Sequence, residues 1–122
     1  MTIGELSKVT NISEYTLRYY EKKELIRVSR DKADRRCYSK DDIDWVLFIK
    51  RLKDTGMLLR DIEKYAKLRY DGDSTMPRRL LMLQAHRNYI LEEQRKWAEY
   101  LANLDNKITF YKDKINEKKL AE

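Results

Sequence analysis

Between Leu80 and Ile115 one set of side chains recurs at alternating steps of three and four: Leu80, Leu83, Arg87, Ile90, Gln94, Trp97, Leu101, Leu104, Ile108, Tyr111 and Ile115. Nine of these eleven positions are apolar, the mark of a helix with a heptad seam. Asp71-Gly72-Asp73-Ser74-Thr75 before it reads as a linker, with Pro77 just inside the helix start. A helix from Pro77 to about Lys118 would run roughly 63 Å at about 1.5 Å per residue. The preceding 70 or so residues cannot bury one whole side of it, so the seam requires a partner, most simply a second copy of the chain. Arg87 and Gln94 would fix register at some cost in stability. Heptads by themselves leave the direction of pairing open.

Composition narrows what precedes the seam. With 122 residues, one cysteine and 39% charged residues, the chain suits one small domain plus an extension. The longest apolar run, Trp45-Val46-Leu47-Phe48-Ile49, falls far short of the roughly 20 residues a membrane span needs. No charged-then-apolar leader opens the sequence and Cys37 has no partner for a disulfide, so a cytoplasmic protein is expected. The net charge is +6, of which the first forty residues carry +4. Such a balance fits a nucleic-acid partner without demanding one.

The basic half contains two short helical patterns in succession. Ile3, Leu6 and Val9 share a face, with Thr2 as N-cap and Glu5 at the capping-box position. Thr10-Asn11 breaks the pattern, and Ser13 with Glu14 opens a second helix. In that helix Leu17 turns inward with Ile12 and Tyr20, while Thr16, Arg18 and Tyr19 point largely outward. Arginine can fork onto a phosphate or a guanine edge, threonine can meet a thymine methyl, and a tyrosine hydroxyl can reach a phosphate oxygen. A helix, a tight turn and a second helix of this kind form a helix-turn-helix, whose second helix usually enters the major groove. After Leu25-Ile26, residues 27–38 have no helical period: two short extended pieces, Arg27 to Arg30 and Arg36 to Ser39, flank a charged tip and read as a β wing.

Thr16-Leu17-Arg18-Tyr19-Tyr20-Glu21, then Leu25-Ile26, Arg36-Cys37-Tyr38, Gly56-Met57 and Leu59-Arg60-Asp61-Ile62 together resemble the winged-helix DNA-binding domain of MerR-type transcription regulators. The likeness runs from Met1 to about Leu68, and the long helix beyond is similar to that family's dimerisation helix. The resemblance implies a mainly α fold: a winged helix-turn-helix head over 1–70, a linker over 71–76 and a coiled-coil helix over 77–122. It further implies double-stranded DNA contacts from Thr16, Arg18 and Tyr19 with Tyr20 nearby, and from Arg36 and Tyr38 on the wing. A homodimer with antiparallel helices would read a near-palindrome, distort the promoter spacer and act on RNA polymerase indirectly. Two positions depart from the family pattern. Glu24 stands where glycine usually precedes the Leu-Ile pair, and Leu58 stands where a serine usually caps the fourth helix.

Ser39 or Lys40 should cap a third helix, with Asp41 and Asp42 in its first turn and Thr55-Gly56 at its end. Its wide apolar coverage, from Ile43 to Leu52, marks the centre of the core. A fourth helix from Leu59 to Arg69 would turn Leu59, Ile62, Tyr65 and Ala66 inward, leaving Arg60 as a further candidate phosphate contact.

What would switch such a regulator is less constrained. His86 and Cys37 make no metal-ligand spacing, so no metal or other cofactor is expected. Cys37, between Arg36 and Tyr38, is a candidate thiol or redox switch, the alternative being a small buried residue of the wing. No separate effector domain is expected after the coiled coil, so a small-molecule pocket would have to form near Tyr65, Tyr70, Trp97 and Tyr100. An enzyme is not expected, since there is no paired His and carboxylate and no phosphate-cradling glycine loop. The rival is a coiled-coil adaptor for another protein, which would have no need of Arg18, Tyr19, Arg36 and Tyr38 together.

Overall fold

Side-chain caps decide where the first three helices begin. In the computed structural model, which describes residues Met1–Ala121, helix α1 (Ile3–Thr10) starts where Thr2 Oγ1 accepts the amide of Glu5 at 3.1 Å. Helix α2 (Glu14–Lys22) starts where Ser13 Oγ accepts the amide of Thr16 at 3.1 Å. A reciprocal capping box opens α3 (Lys40–Asp54): Ser39 Oγ faces the Asp42 amide, and Asp42 Oδ2 accepts the Ser39 amide at 2.7 Å. Helix α4 (Leu59–Asp71) follows Leu58, which makes no capping bond, as its side chain dictates. Between α2 and α3 the wing consists of β1 (Ser29–Arg30) and β2 (Arg36–Cys37), antiparallel with Ser29 opposite Cys37 and Arg30 opposite Arg36. Its strands are shorter than the extended pieces that the sequence suggests.

Two helices end in the same way with different residues. At the end of α2 the amide of Leu25 reaches back to Tyr20 O at 2.9 Å and that of Glu24 to Glu21 O at 3.0 Å, with Glu24 at φ 59°. At the end of α3, Met57 reaches Leu52 O at 2.9 Å and Gly56 reaches Lys53 O at 3.1 Å, with Gly56 at φ 93°. Both are Schellman turns, which need a left-handed residue after the cap. Gly56 enters that region freely, whereas Glu24 must hold its Cβ against the following carbonyl.

One core joins these elements. Leu6, Ile12, Leu17, Tyr20, Leu25, Val46, Ile49 and Ile62 are all buried, so α1, α2, α3 and α4 share a single apolar centre. Trp45 stacks on Tyr65 at 5.9 Å between centroids and donates its indole N–H to Leu25 O at 2.8 Å, which fixes the exit from α2 to α3. Tyr65, Ala66 and Ile62 turn inward on α4 as their period requires, but Leu59 is 37% exposed. Leu59 opens the helix directly after the turn, before the core-facing row is established.

The segment after α4 is an ordered corner. Gly72 (φ 110°) ends α4, a single 3₁₀ turn (Asp73–Thr75) follows, and α5 (Met76–Ala121) begins at once. Thr75 is 2% exposed and donates its hydroxyl to Leu68 O at 2.5 Å, while Arg79 Nε donates to Thr75 Oγ1 at 3.0 Å. Met82 and Leu83 pack against the core, so the first compact unit is Met1–Leu83. The second unit starts at Gln84. Within it, Arg95 pairs with Glu92 and Glu99, Lys96 with Glu93 and Lys114 with Glu117, at spacings of three or four that suit a solvated helix. Trp97, Leu101, Leu104, Ile108, Tyr111 and Ile115 are each 44% exposed or more, and α5 has no buried residue along its length. None of the described helices is long and apolar enough to cross a membrane.

Replacing Glu24 by glycine should relieve the left-handed strain and stabilise the head by about 1 kcal/mol. Gly56→Ala should destabilise it by about the same amount at a comparable turn. Urea unfolding of the two variants should show opposite shifts in midpoint with unchanged slopes.

Candidate nucleic-acid interface

The face that α2 leaves outside is set by the one it buries. Leu17 is 0% exposed and Tyr20 2%, and the turn beneath them is tied down by Ser7 Oγ donating to Ile12 O at 2.6 Å and Thr10 Oγ1 to Leu6 O at 2.7 Å. With those residues fixed inside, Tyr15, Arg18 and Lys22 fall on one outward stripe at steps of three and four, and Tyr19 lies at its edge, packed against the core. Thr16 is partly covered and its Oγ1 accepts from Ser13 Oγ at 2.9 Å. Arg18 is exposed, with a loose contact to Glu14 at 3.5 Å. Tyr19 is half-buried, with Lys23 Nζ 5.9 Å from its ring centre. Tyr15, 82% exposed, was not among the residues singled out in the sequence. Its spacing of three and four from Arg18 and Tyr19 was the available signal.

Tyr20 and Tyr38 lie differently from the other sequence-derived candidates. Tyr20 belongs to the core and supports the stripe from below. Tyr38, 3% exposed, is also a core residue, and its backbone amide donates to Met1 O at 2.9 Å, tying the chain start to the wing. Its hydroxyl has no partner within bonding distance among the described residues. Cys37 is exposed on β2 and outside any disulfide, so the buried alternative for this thiol does not hold.

The wing is built from charges that restrain one another. At its tip Asp31 Oδ1 accepts the amides of Ala33 at 2.9 Å and Arg35 at 3.0 Å, and Oδ2 accepts Arg35 Nε at 3.1 Å. The Arg35 amide, first of all, holds the Asp31 carboxyl below the usual carboxylate range. At its base Arg30 and Arg36 sit directly opposite each other, a cross-strand pairing of like charges that would by itself push the strands apart. Glu21 of α2 answers both: Oε2 accepts Arg36 Nε at 2.7 Å and Oε1 lies 3.7 Å from an Arg30 terminal nitrogen. That hydrogen bond to Glu21 also raises the Arg36 guanidinium above its ordinary value. The structure therefore brings Arg18, Tyr19 and Arg36 into one unit of helix and wing, linked through a glutamate to which the sequence had given no role.

Behind this unit the loop after α2 is fastened to α4. The Arg27 amide donates to Tyr70 Oη at 3.0 Å, and the Arg27 guanidinium lies over the Tyr70 ring at 4.7 Å. Arg69 covers Trp45 at 4.3 Å. A cavity of about 530 Å³ opens beside it, lined by Asp41, Asp44, Trp45, Phe48, Arg51 and Arg69 among others. Tyr70 and Arg69 thus act in packing here. Arg60 is 80% exposed in its side chain and lies 3.9 Å from the Asp61 carboxylate. Among the described residues no cluster of three or more His, Cys, Asp or Glu could hold a metal ion.

Residues 1–68 match the profile described as MerR HTH family regulatory protein. Over 111 residues, 90% of this chain and 82% of the relative, the sequence is 32% identical to an HTH-type transcriptional regulator of Haemophilus influenzae. It is 33% identical over 93 residues to the HTH-type transcriptional regulator AdhR of Bacillus subtilis, covering 75% of this chain and 66% of that protein. Among solved structures it is similar to HiNmlR, a MerR family regulator lacking the sensor domain and bound to promoter DNA, with TM-score 0.82, 32% identity and coverage of 92% and 90% of the two chains. A MerR family regulator structure from Listeria monocytogenes gives TM-score 0.86 at 28% identity, covering 91% and 85%.

Burial raises the phenols of Tyr20 and Tyr38 above their ordinary value of 10.0. In the unfolded chain both ionise near pH 10, while in the folded state they stay neutral to higher pH, so their contribution is intact below pH 10 and is lost as pH rises through the folded values. Tyr38→Phe removes a buried hydroxyl without a partner and should raise stability at neutral pH by about 1 kcal/mol. It should also flatten the loss of stability in urea titrations repeated from pH 9 to 11.5.

Proposed function

The chain belongs to the MerR family of helix-turn-helix DNA-binding transcription regulators, and from that premise we propose that it reads promoter DNA as a homodimer. The observation that carries this reading is the exposed stripe of α2 beside the basic wing, with Arg18 and Tyr19 on the helix and Arg36 on β2. Thr16, Arg18 and Tyr19 meet base edges and flanking phosphates from the major groove, and Arg36 meets the backbone from the wing. Tyr20 acts from beneath the helix. Tyr38 acts from beneath the wing, as a buried support for the strand that carries Arg36.

The apolar seam of α5 supports the dimer. Six exposed apolar side chains from Trp97 to Ile115 in helical register need a long apolar partner, and a second α5 supplies the same pattern in return. In this reading residues 1–70 are the reading head, 71–76 the connection and 77–122 the dimerisation helix. Antiparallel pairing then presents two heads to a near-palindrome, and backbone contacts on both flanks supply the energy to distort the spacer between polymerase elements. RNA polymerase responds to the reshaped promoter, an effect exerted in the cytoplasm without a metal or other cofactor. Alkylation of the exposed Cys37, beside Arg36, weakens the wing contact.

Selection from a random duplex pool tests the reading. The wild type should enrich an inverted repeat, and Arg18→Ala and Tyr19→Ala should each lose roughly tenfold or more in affinity for it. Leu101→Glu with Leu104→Glu should convert the dimer to monomer in sedimentation and abolish tight binding to the repeat. No enrichment by a folded wild-type dimer would favour the adaptor.

A further inference from the structure

We propose that Glu21 is a positioning residue for DNA recognition: its carboxylate fixes the Arg36 guanidinium so that both terminal nitrogens face a phosphate. On the wing, Arg30 and Arg36 are cross-strand partners and repel. A flexible arginine facing a like charge would spread over several rotamers, and each would have to be given up on binding. Glu21 removes that freedom. It takes Arg36 through Nε at 2.7 Å, the one guanidinium nitrogen that cannot take part in an outward fork from the two terminal amines. The Nη groups are left for an oxygen acceptor, and the Arg36 side chain keeps 33% of its surface open to one.

The second carboxylate oxygen restrains the opposite strand. Oε1 lies 3.7 Å from Arg30, whose other terminal nitrogen donates to Asp34 O at 3.3 Å at the wing tip. A single acid on the recognition helix thus holds both wing strands at a set distance from Arg18, which lies three residues, nearly one turn, back on the same helix. Tyr38 carries its unpartnered hydroxyl under the same group, within the field of Glu21, Arg36, Arg30 and Arg18. An acid close to a polyanion ordinarily repels it. Here the two arginines screen the carboxylate, whose effect is to orient them.

The inference rests on the DNA-binding reading above, and the test separates the two. Anisotropy titrations across a range of salt, on the selected repeat and on a scrambled duplex, would compare the wild type with Glu21→Ala, Glu21→Gln, Arg36→Ala and the double Ala variant. Glu21→Ala should weaken binding to the repeat by roughly tenfold, with a salt slope lower by about 1, while binding to the scrambled duplex stays equal or tightens. Glu21→Gln, which keeps an acceptor for Arg36 Nε, should recover part of the loss and carries the test if the alanine variant does not fold. The double variant should bind no more weakly than Arg36→Ala alone. Equal tightening on both duplexes would show that Glu21 only repels DNA, and additive losses would show that it acts elsewhere; either overturns the proposal. A wild type with no preference for the repeat would instead overturn the DNA-reading premise.

Discussion

Everything outward on this head follows from the burial of Leu17 and Tyr20. A helix cannot place those two side chains in a core with Leu6, Ile12 and Val46 without turning Tyr15, Arg18 and Lys22 to the other side. Rotating α2 by a single residue would expose a leucine and bury an arginine without a partner, at several kcal/mol. The core therefore acts as a rotational lock. Deep packing at Leu17 and surface chemistry at Arg18 are consequences of one geometric choice.

The wing depends on that lock at one remove. Two strands of two residues each have too few ladder bonds to stand alone. They are held instead by their surroundings: Tyr38 buried beneath, its amide bonded to Met1, and Glu21 reaching across from α2. Because the anchor lies on α2, the wing's position is defined relative to the recognition helix. Its tip is more independent, since Asp31 closes the turn with its own carboxylate and with Asp34 at φ 59°.

Tight corners set the remaining geometry, and they show how unevenly a sequence signals its turns. Gly56 and Gly72 stand at positive φ where a glycine is the natural choice, and both corners are evident from composition. Glu24 makes the same left-handed turn with a side chain that resists it, so only the absence of the usual glycine marks the place. The stretch from Asp71 to Thr75 has the composition of a loose connection. It is nonetheless ordered, because the Thr75 hydroxyl finds the last carbonyls of α4 and Arg79 closes over it.

What the residues determined by themselves was local or periodic. Thr2, Ser13 and Ser39 cap helices through bonds spanning three residues, the seam from Leu80 to Ile115 repeats every seven, and the inward set of α2 follows from 3.6 residues per turn. These need no knowledge of where the chain goes next. Tertiary structure alone decided that Glu21 meets Arg36 fifteen positions later, that Tyr38 goes under the wing while Cys37 faces out, and that Leu59 stays half open. An arginine in a basic loop has several acids within reach of a flexible chain. Which one it meets is fixed only when the packed core has set the distance and angle between helix and wing, and that information is distributed over every residue of the core.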